Sequence, residues 1–276
     1  TSHKAIPWAP RGHWNAGELI GLLFWTAYKP GITTKSFPGI LVHKYNLSGH
    51  TLPLYTTRKV PFTIVLTELL LFISSATAAK KLNFRTLIEK LKSNEITLPH
   101  RLDIWQPLNN IDHDVLPPGE VKVYFYIDPD ETLSLTVWQQ TADLGACGVP
   151  YNVAYYSILL HIVGYLLHRD IKMLVHIMVA AKMYSIHEDA LRKQVDRYPR
   201  LFPQLKMKKR GQQQLVDFVA DDFKLVGYDP HPELQMVGNE EECRNDAAAA
   251  ASELNDDEDW GDDTTTAASD WEEKEE

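Results

Sequence analysis

The chain has 276 residues, 44% hydrophobic and 24% charged, with 28 Lys and Arg against 37 Asp and Glu. That composition excludes a wholly disordered chain and suffices for one large domain or two small ones. The charge is uneven: residues 238–276 hold 16 acids with only Arg244 and Lys274 as bases, leaving 26 basic and 21 acidic side chains in residues 1–237.

Two cysteines, Cys147 and Cys243, provide neither a disulfide framework nor a cysteine-rich zinc site, which points to a reducing compartment. The chain opens on Thr1, read as a processed or trimmed terminus, and no charged-then-apolar secretory pattern follows. An intracellular location, cytoplasm or mitochondrion, is expected.

In chain order, Asn15 and Glu18 form a capping-box signal for a helix through Trp25, stopped by Lys29-Pro30-Gly31. Ile40–Asn46 reads as a strand. Val60–Ala79 carries one charge, Glu68, and approaches the roughly 20 residues of a membrane span. A mid-span Glu is costly in lipid, and Lys80-Lys81 follows, so a buried core helix is the expectation. Arg101–Trp105 is a short strand. Val121, Val123, Phe125 and Ile127 alternate with polar neighbours, Asp128-Pro129-Asp130 turns the chain, and Leu133, Leu135 and Val137 alternate again, which predicts a β-hairpin with one buried face.

Tyr151–His168 reads as a second core helix and Ile171–Val179 as a strand. Ser185 and Glu188 predict a capped helix ended by Pro199, and Asp222–Val226 a last strand. Strands and helices follow no strict alternation, so the expected class is α+β with an antiparallel or mixed sheet. Residues 238–276 read as a disordered acidic tail, with Trp260 and Trp271 as its anchors for a partner. His161, His168, His176 and His187 fall at spacings of 7, 8 and 11, which is not a ligand set, and no metal is expected.

Three blocks taken together carry a resemblance: YNLSGHTLPLYTTRKVPFTIVLTELLLFIS (45–74), VLPPGEVKVYFYIDPDETLSLTVWQQTADLGACGVPYNVAYYSILLHIV (115–163), and KMYSIHEDALRKQV with DFKLVGYDPHP (182–195 and 222–232). They resemble thymidylate synthase and its relatives, the deoxypyrimidine hydroxymethylases. The resemblance implies a thymidylate-synthase-like fold with a large twisted sheet packed back to back in a homodimer. It also implies a reaction in which a cysteine thiolate adds to C6 of a pyrimidine nucleotide, a reduced folate delivers a one-carbon unit to C5, and arginines from both subunits hold the phosphate. The implied organisation is an N-terminal basic segment with one helix (1–39), the family domain (40–237) and the acidic tail (238–276).

Against that pattern the chain departs at the reacting positions. Leu116-Pro117-Pro118 is followed by Gly119 where the family carries its nucleophile, and by Glu120 where a histidine follows. Glycine has no thiolate to add. Gln140 stands in place of a phosphate arginine. Another falls near Pro30, beside Lys29 and Lys35, and the paired arginines reduce to His100-Arg101. Lys182 replaces a histidine, and the insert before Arg101 that supplies folate- and base-contacting aromatics is missing.

Glu68, Asp143, Asn152 and Tyr184 match pocket positions, as proton relay, pocket wall, pyrimidine-reading amide and sugar-hydroxyl partner. With Gln140 they would form a vestigial nucleotide pocket. Their plainer roles are hydrogen-bonded carboxylates, a helix cap and a core tyrosine. The expectation is therefore a catalytically inactive pseudoenzyme, a structural or interaction subunit binding no cofactor. Its partners would be a second copy or subunits of a larger assembly, with RNA contact through the basic body, including Lys206–Arg210, and no membrane. The alternative is a divergent pyrimidine C5 methyl- or hydroxymethyltransferase using reduced folate, with Cys147 as substitute nucleophile. A nucleotide sensor is the third reading.

Overall fold

A computed structural model describes residues 34–36, 39–74, 78–93, 100–103, 121–145, 148–184 and 187–235. Its elements are β1 (Thr34–Ser36), β2 (Leu41–Asn46), α1 (Phe62–Ser74), α2 (Ala78–Lys92), β3 (His100–Asp103), β4 (Val121–Ile127), β5 (Leu133–Asp143), α3 (Val149–Leu167), β6 (Ile171–Tyr184), α4 (Glu188–Val195), β7 (Gln204–Met207) and β8 (Phe223–Val226). The helix expected at Asn15–Trp25, Trp105, Gly119, Cys147 and the acidic segment lie outside the described residues.

The class is α+β with a mixed sheet. Six strands run in the order β1-β6-β5-β4-β3, with β2 also on β6, and β7 and β8 form a separate ribbon. Pairing is antiparallel except between β5 and β6, which α3 joins by a crossover. The expected β4–β5 hairpin pairs Phe125 opposite Leu135 and Val123 opposite Val137. All four side chains are fully buried. The turn is closed by the Asp128 N–H to Thr132 O, 2.8 Å, and by Ser134 Oγ donating to Asp128 Oδ2.

The core lies between this face and the helices. Helix α3 buries Val153, Ile158, Leu160, Ile162 and Val163 completely. It meets the start of β6 so closely that a Cβ on Gly164 would come within 2.6 Å of Ile171 Cγ2. The helix ends at His168, which adopts a left-handed conformation (φ 52°).

Three expectations are corrected. Val60–Ala79 is not one helix: α1 stops at Ser74, whose Oγ donates to the Leu71 carbonyl, and α2, unforeseen, starts at Ala78. A serine hydroxyl competing for a backbone carbonyl is a known weakener of helix interiors. Helix α1 buries only Val65, Leu66, Leu69 and Ile73, one stripe, and among the described residues no helix is long and apolar enough to cross a membrane. Helix α4 has His187 at its N-cap, and Glu188 pairs with Arg192, while Ser185 lies outside the described residues. It ends at Val195, four residues before Pro199. Finally, β6 continues to Tyr184 because β1 pairs with its last residues, Thr34 opposite Tyr184.

Among the described residues no helix covers the second sheet face. Val42 and Trp138 are exposed on it, and Tyr124 and Tyr126 half-buried. Pairing aligns Val42, Ile177, Trp138 and Lys122 in one row across four strands.

Candidate functional site

The end of β5 and the first turn of α3 carry two of the residues that the sequence singled out, Asp143 and Asn152. Asp143, at the end of β5, is half-buried, and its Oδ1 accepts the N–H of Gly145 at 2.9 Å. The chain then doubles back so tightly that a Cβ on Gly148 would lie 2.1 Å from the Asp143 carbonyl oxygen. No side chain fits there, and the helix start is pressed against the strand end.

Arg58, 3% exposed in a loop before α1, donates Nη2 to the Gly145 carbonyl. A Cβ on Gly145 would meet His187 Nδ1 at 2.9 Å, so that histidine also abuts the turn. The turn that carries Cys147 in sequence thus has an arginine and a histidine beside it at residue 145. Sequence proximity gave no sign of either.

Asn152 lies one turn into α3 and does not cap it. Its Nδ2 donates to Gln139 Oε1 at 3.1 Å, and the same oxygen receives His176 Nε2 at 2.8 Å. Gln139 is buried, whereas its neighbour Gln140 is exposed on the other sheet face, as strand alternation requires. The residue in the arginine's place therefore does not share a face with the Asn152 amide's partner. Glu68, half-buried on α1, faces α3: burial first, then Tyr156 and the Glu68 charge, hold the Tyr155 phenol well above its usual range. Tyr184 lies two residues along β6 from Lys182, which pairs with Asp143 on one side and Ser36 on the other.

The polar network continues inward. With Nε2 donating, His176 Nδ1 is an acceptor, and it is buried without a hydrogen-bond partner. Directly across the β2–β6 pair stands His43, 6% exposed, whose Nδ1 is 3.5 Å from the Tyr45 hydroxyl. Burial, reinforced by His43, pushes the His176 pKa down to about 3, and burial alone pushes His43 to about 4. Both rings are neutral near pH 7. Burial also raises Tyr45, and raises Tyr55 to about 12.

Gln139, His176, His43 and Arg58 were not foreseen as parts of the site. Gln139 and His176 do lie on the buried phase of their strands, and a polar residue in an apolar phase is the signal that could have marked them.

The family profile described as thymidylate synthase matches residues 25–87 and 83–238, and the chain belongs to the thymidylate synthase family. It is 39% identical over 152 residues to the thymidylate synthase of varicella-zoster virus (strain Dumas), covering 55% of this chain and 49% of that protein. It is 34% identical over 160 residues to the enzyme of Saccharomyces cerevisiae, 55% and 52% respectively. Over a longer alignment of 285 residues it is 26% identical to the thymidylate synthase of Candida albicans, 75% of this chain and 90% of that one. The chain thus spans about half the length of the first two relatives.

Proposed function

We propose that the chain is a catalytically silent thymidylate synthase homologue serving as a structural or interaction subunit. The observation that carries this reading is Gly119 at the position of the family nucleophile, where no covalent adduct can form. The surroundings agree. Gln140, neutral and exposed, replaces a phosphate arginine, and each such charge-assisted contact is worth about 1.5–3 kcal/mol.

The hydrogen bonds of two described polar groups support this reading. Asn152 Nδ2 is directed to Gln139 and Arg58 Nη2 to Gly145, so two donors suited to a ligand are engaged by the protein. No cofactor is assigned, and partners are a second copy or other subunits, met through the uncovered sheet face. Calorimetry with dUMP and dCMP tests the reading: no binding is expected, and a Kd near or below micromolar, about −8 kcal/mol, overturns it.

One observation favours a second reading, a divergent pyrimidine C5 transferase. Arg58 and His187 at the Gly145 turn are cationic or hydrogen-bonding neighbours of the kind that lower a thiol pKa, and Cys147 follows two residues later. If folate-dependent turnover is found, Cys147→Ser abolishes it under this reading. Unchanged turnover removes Cys147.

A further inference from the structure

Helix α3 carries a histidine that neither the Gln139–His176 network nor the β5–α3 turn uses. His161 is 2% exposed, and its Nδ1 lies 2.8 Å from the Ser157 carbonyl one helical turn back, so Nδ1 holds the ring proton. Nε2 is then a bare acceptor, and it is buried without a hydrogen-bond partner. Metal-binding histidines are fixed in this way: one ring nitrogen donates to a backbone carbonyl while the other presents its lone pair.

The short turn Ser48–His50 stands against this ring. The His50 ring centroid is 6.3 Å from that of His161, with the planes inclined at 33°. Burial is what chiefly keeps the His161 ring neutral, and the backbone carbonyls of Ser157 and His50 work against it. A neutral imidazole has one N–H, and the Ser157 carbonyl takes it, so Nε2 and the His50 carbonyl are two acceptors with no proton to share. A cation that takes an electron pair from each satisfies both.

His50 is exposed and adopts a left-handed backbone (φ 61°), a conformation that residues other than glycine keep only where their surroundings impose it. The surroundings are well tied. Gln204 Nε2 donates to the Gly49 carbonyl at 3.3 Å, Thr51 Oγ1 to the Ser48 carbonyl at 2.9 Å, and the Leu52 N–H to the Pro203 carbonyl at 2.8 Å. Both halves of the pair are thus positioned before anything binds.

Two imidazoles on one ion, each at a metal–nitrogen distance of about 2.0–2.1 Å, have ring centroids roughly 5–6 Å apart. A small turn of the exposed His50 ring closes the difference from the observed separation. Imidazole suits zinc, copper and nickel. Among the described residues no three His, Cys, Asp or Glu side chains converge on a metal position, so this pair is unlike a closed structural zinc centre and leaves positions to the His50 carbonyl and to solvent. The spacings of the later histidines gave no sign of it, because His50 lies more than 100 residues before His161.

We propose that His161 Nε2 and the His50 ring bind one divalent transition-metal ion of the zinc class, with the His50 carbonyl as a further donor, clipping the Ser48–His50 turn to α3. The site operates whether or not the chain binds a nucleotide.

Calorimetry of the full chain, stripped with a chelator and titrated with zinc chloride, tests it. Other histidines and the many acids also take up zinc, so the readout is the difference between variants. His50→Ala and His161→Gln should each lose one zinc per chain, whereas His168→Asn, at another exposed histidine, should lose none. His50→Ala removes only an exposed ring, so it decides the matter even where His161→Gln fails to fold. Long-range 1H–15N spectra of the unmutated protein give an independent reading: zinc should move the His161 Nε2 resonance and leave the Nδ1–H in place. Equal zinc uptake by the unmutated protein and His50→Ala, or a His161 Nε2 resonance that zinc does not move, overturns the proposal and leaves a bridging water between the two acceptors.

Discussion

Acid should unfold this protein through its buried histidines. His43, His161 and His176 are all within the core, and burial is the first cause holding each pKa down, to about 4, 4 and 3 from the usual 6.5. A depressed histidine pKa means that the unfolded chain takes up the proton first. The folded state is therefore favoured fully above pH 6.5, and stability falls as the pH drops from 6.5 towards 3–4. At pH 5 each ring contributes a loss of about 2 kcal/mol, because its unfolded form is protonated and its folded form is not. Three rings give about 6 kcal/mol as a ceiling, a large part of a typical stability of about 5–15 kcal/mol.

His161 offers the clean substitution. Its Nδ1 donates to the Ser157 carbonyl at 2.8 Å inside α3, and a helix carbonyl four residues upstream retains its backbone partner without it. Urea denaturation of the unmutated protein and His161→Leu at pH 7.5, 6 and 5 should show a smaller loss in the variant, by about a third. Equal stability of the unmutated protein at pH 7.5 and 5 would refute the reasoning.

Other outcomes are equally open to measurement. Gly148→Ala forces a Cβ against the Asp143 carbonyl and should cost about 3 kcal/mol or more, read by chemical denaturation; a neutral effect would mean the strand end is free to move. If the proposed self-association uses the uncovered sheet face, Tyr124→Asp should shift light scattering towards monomer, and an unmutated protein that is already monomeric would refute that self-association. Arg210→Ala removes both hydrogen bonds to the buried Asp222 carboxylate, whose pKa burial works to raise but Arg210 holds below the usual range. A stability loss of about 1–3 kcal/mol at pH 7, diminishing below pH 4, is expected by denaturation, and no loss would show that Asp222 relaxes to water.

Much of the scaffold was readable because it obeys simple periods. The alternation of Val121–Val137 marked the hairpin and its inner face, and the apolar run around Ile158 marked α3. The break at Ser74 was not readable, since a serine hydroxyl only competes for a carbonyl once the flanking turns have somewhere else to pack. The site was half-readable. Asp143 ends β5 and Asn152 lies in the first turn of α3, but their immediate partners, Gly145 and Gln139, depend on a backbone reversal and on His176 arriving from a strand more than 30 residues away. No local pattern encodes that contact. Gln140 was assigned to the pocket from its motif alone, and strand alternation turns it to the opposite face.

Strand β6 has 14 residues and collects three partners: β5 along one edge, and β2 and then β1 along the other. Their residues lie more than 120 positions before the β6 residues they pair with. The hairpin β4–β5 can close within about 1–10 μs, whereas β6 must await α3 on one side and a distant segment on the other. Sheets dominated by such distant pairings fold in milliseconds to seconds. Until β1 and β2 arrive, one long edge of β6 is an open row of amides and carbonyls, so the rate at which the N-terminal strands are delivered governs how long a nascent chain stays prone to aggregate.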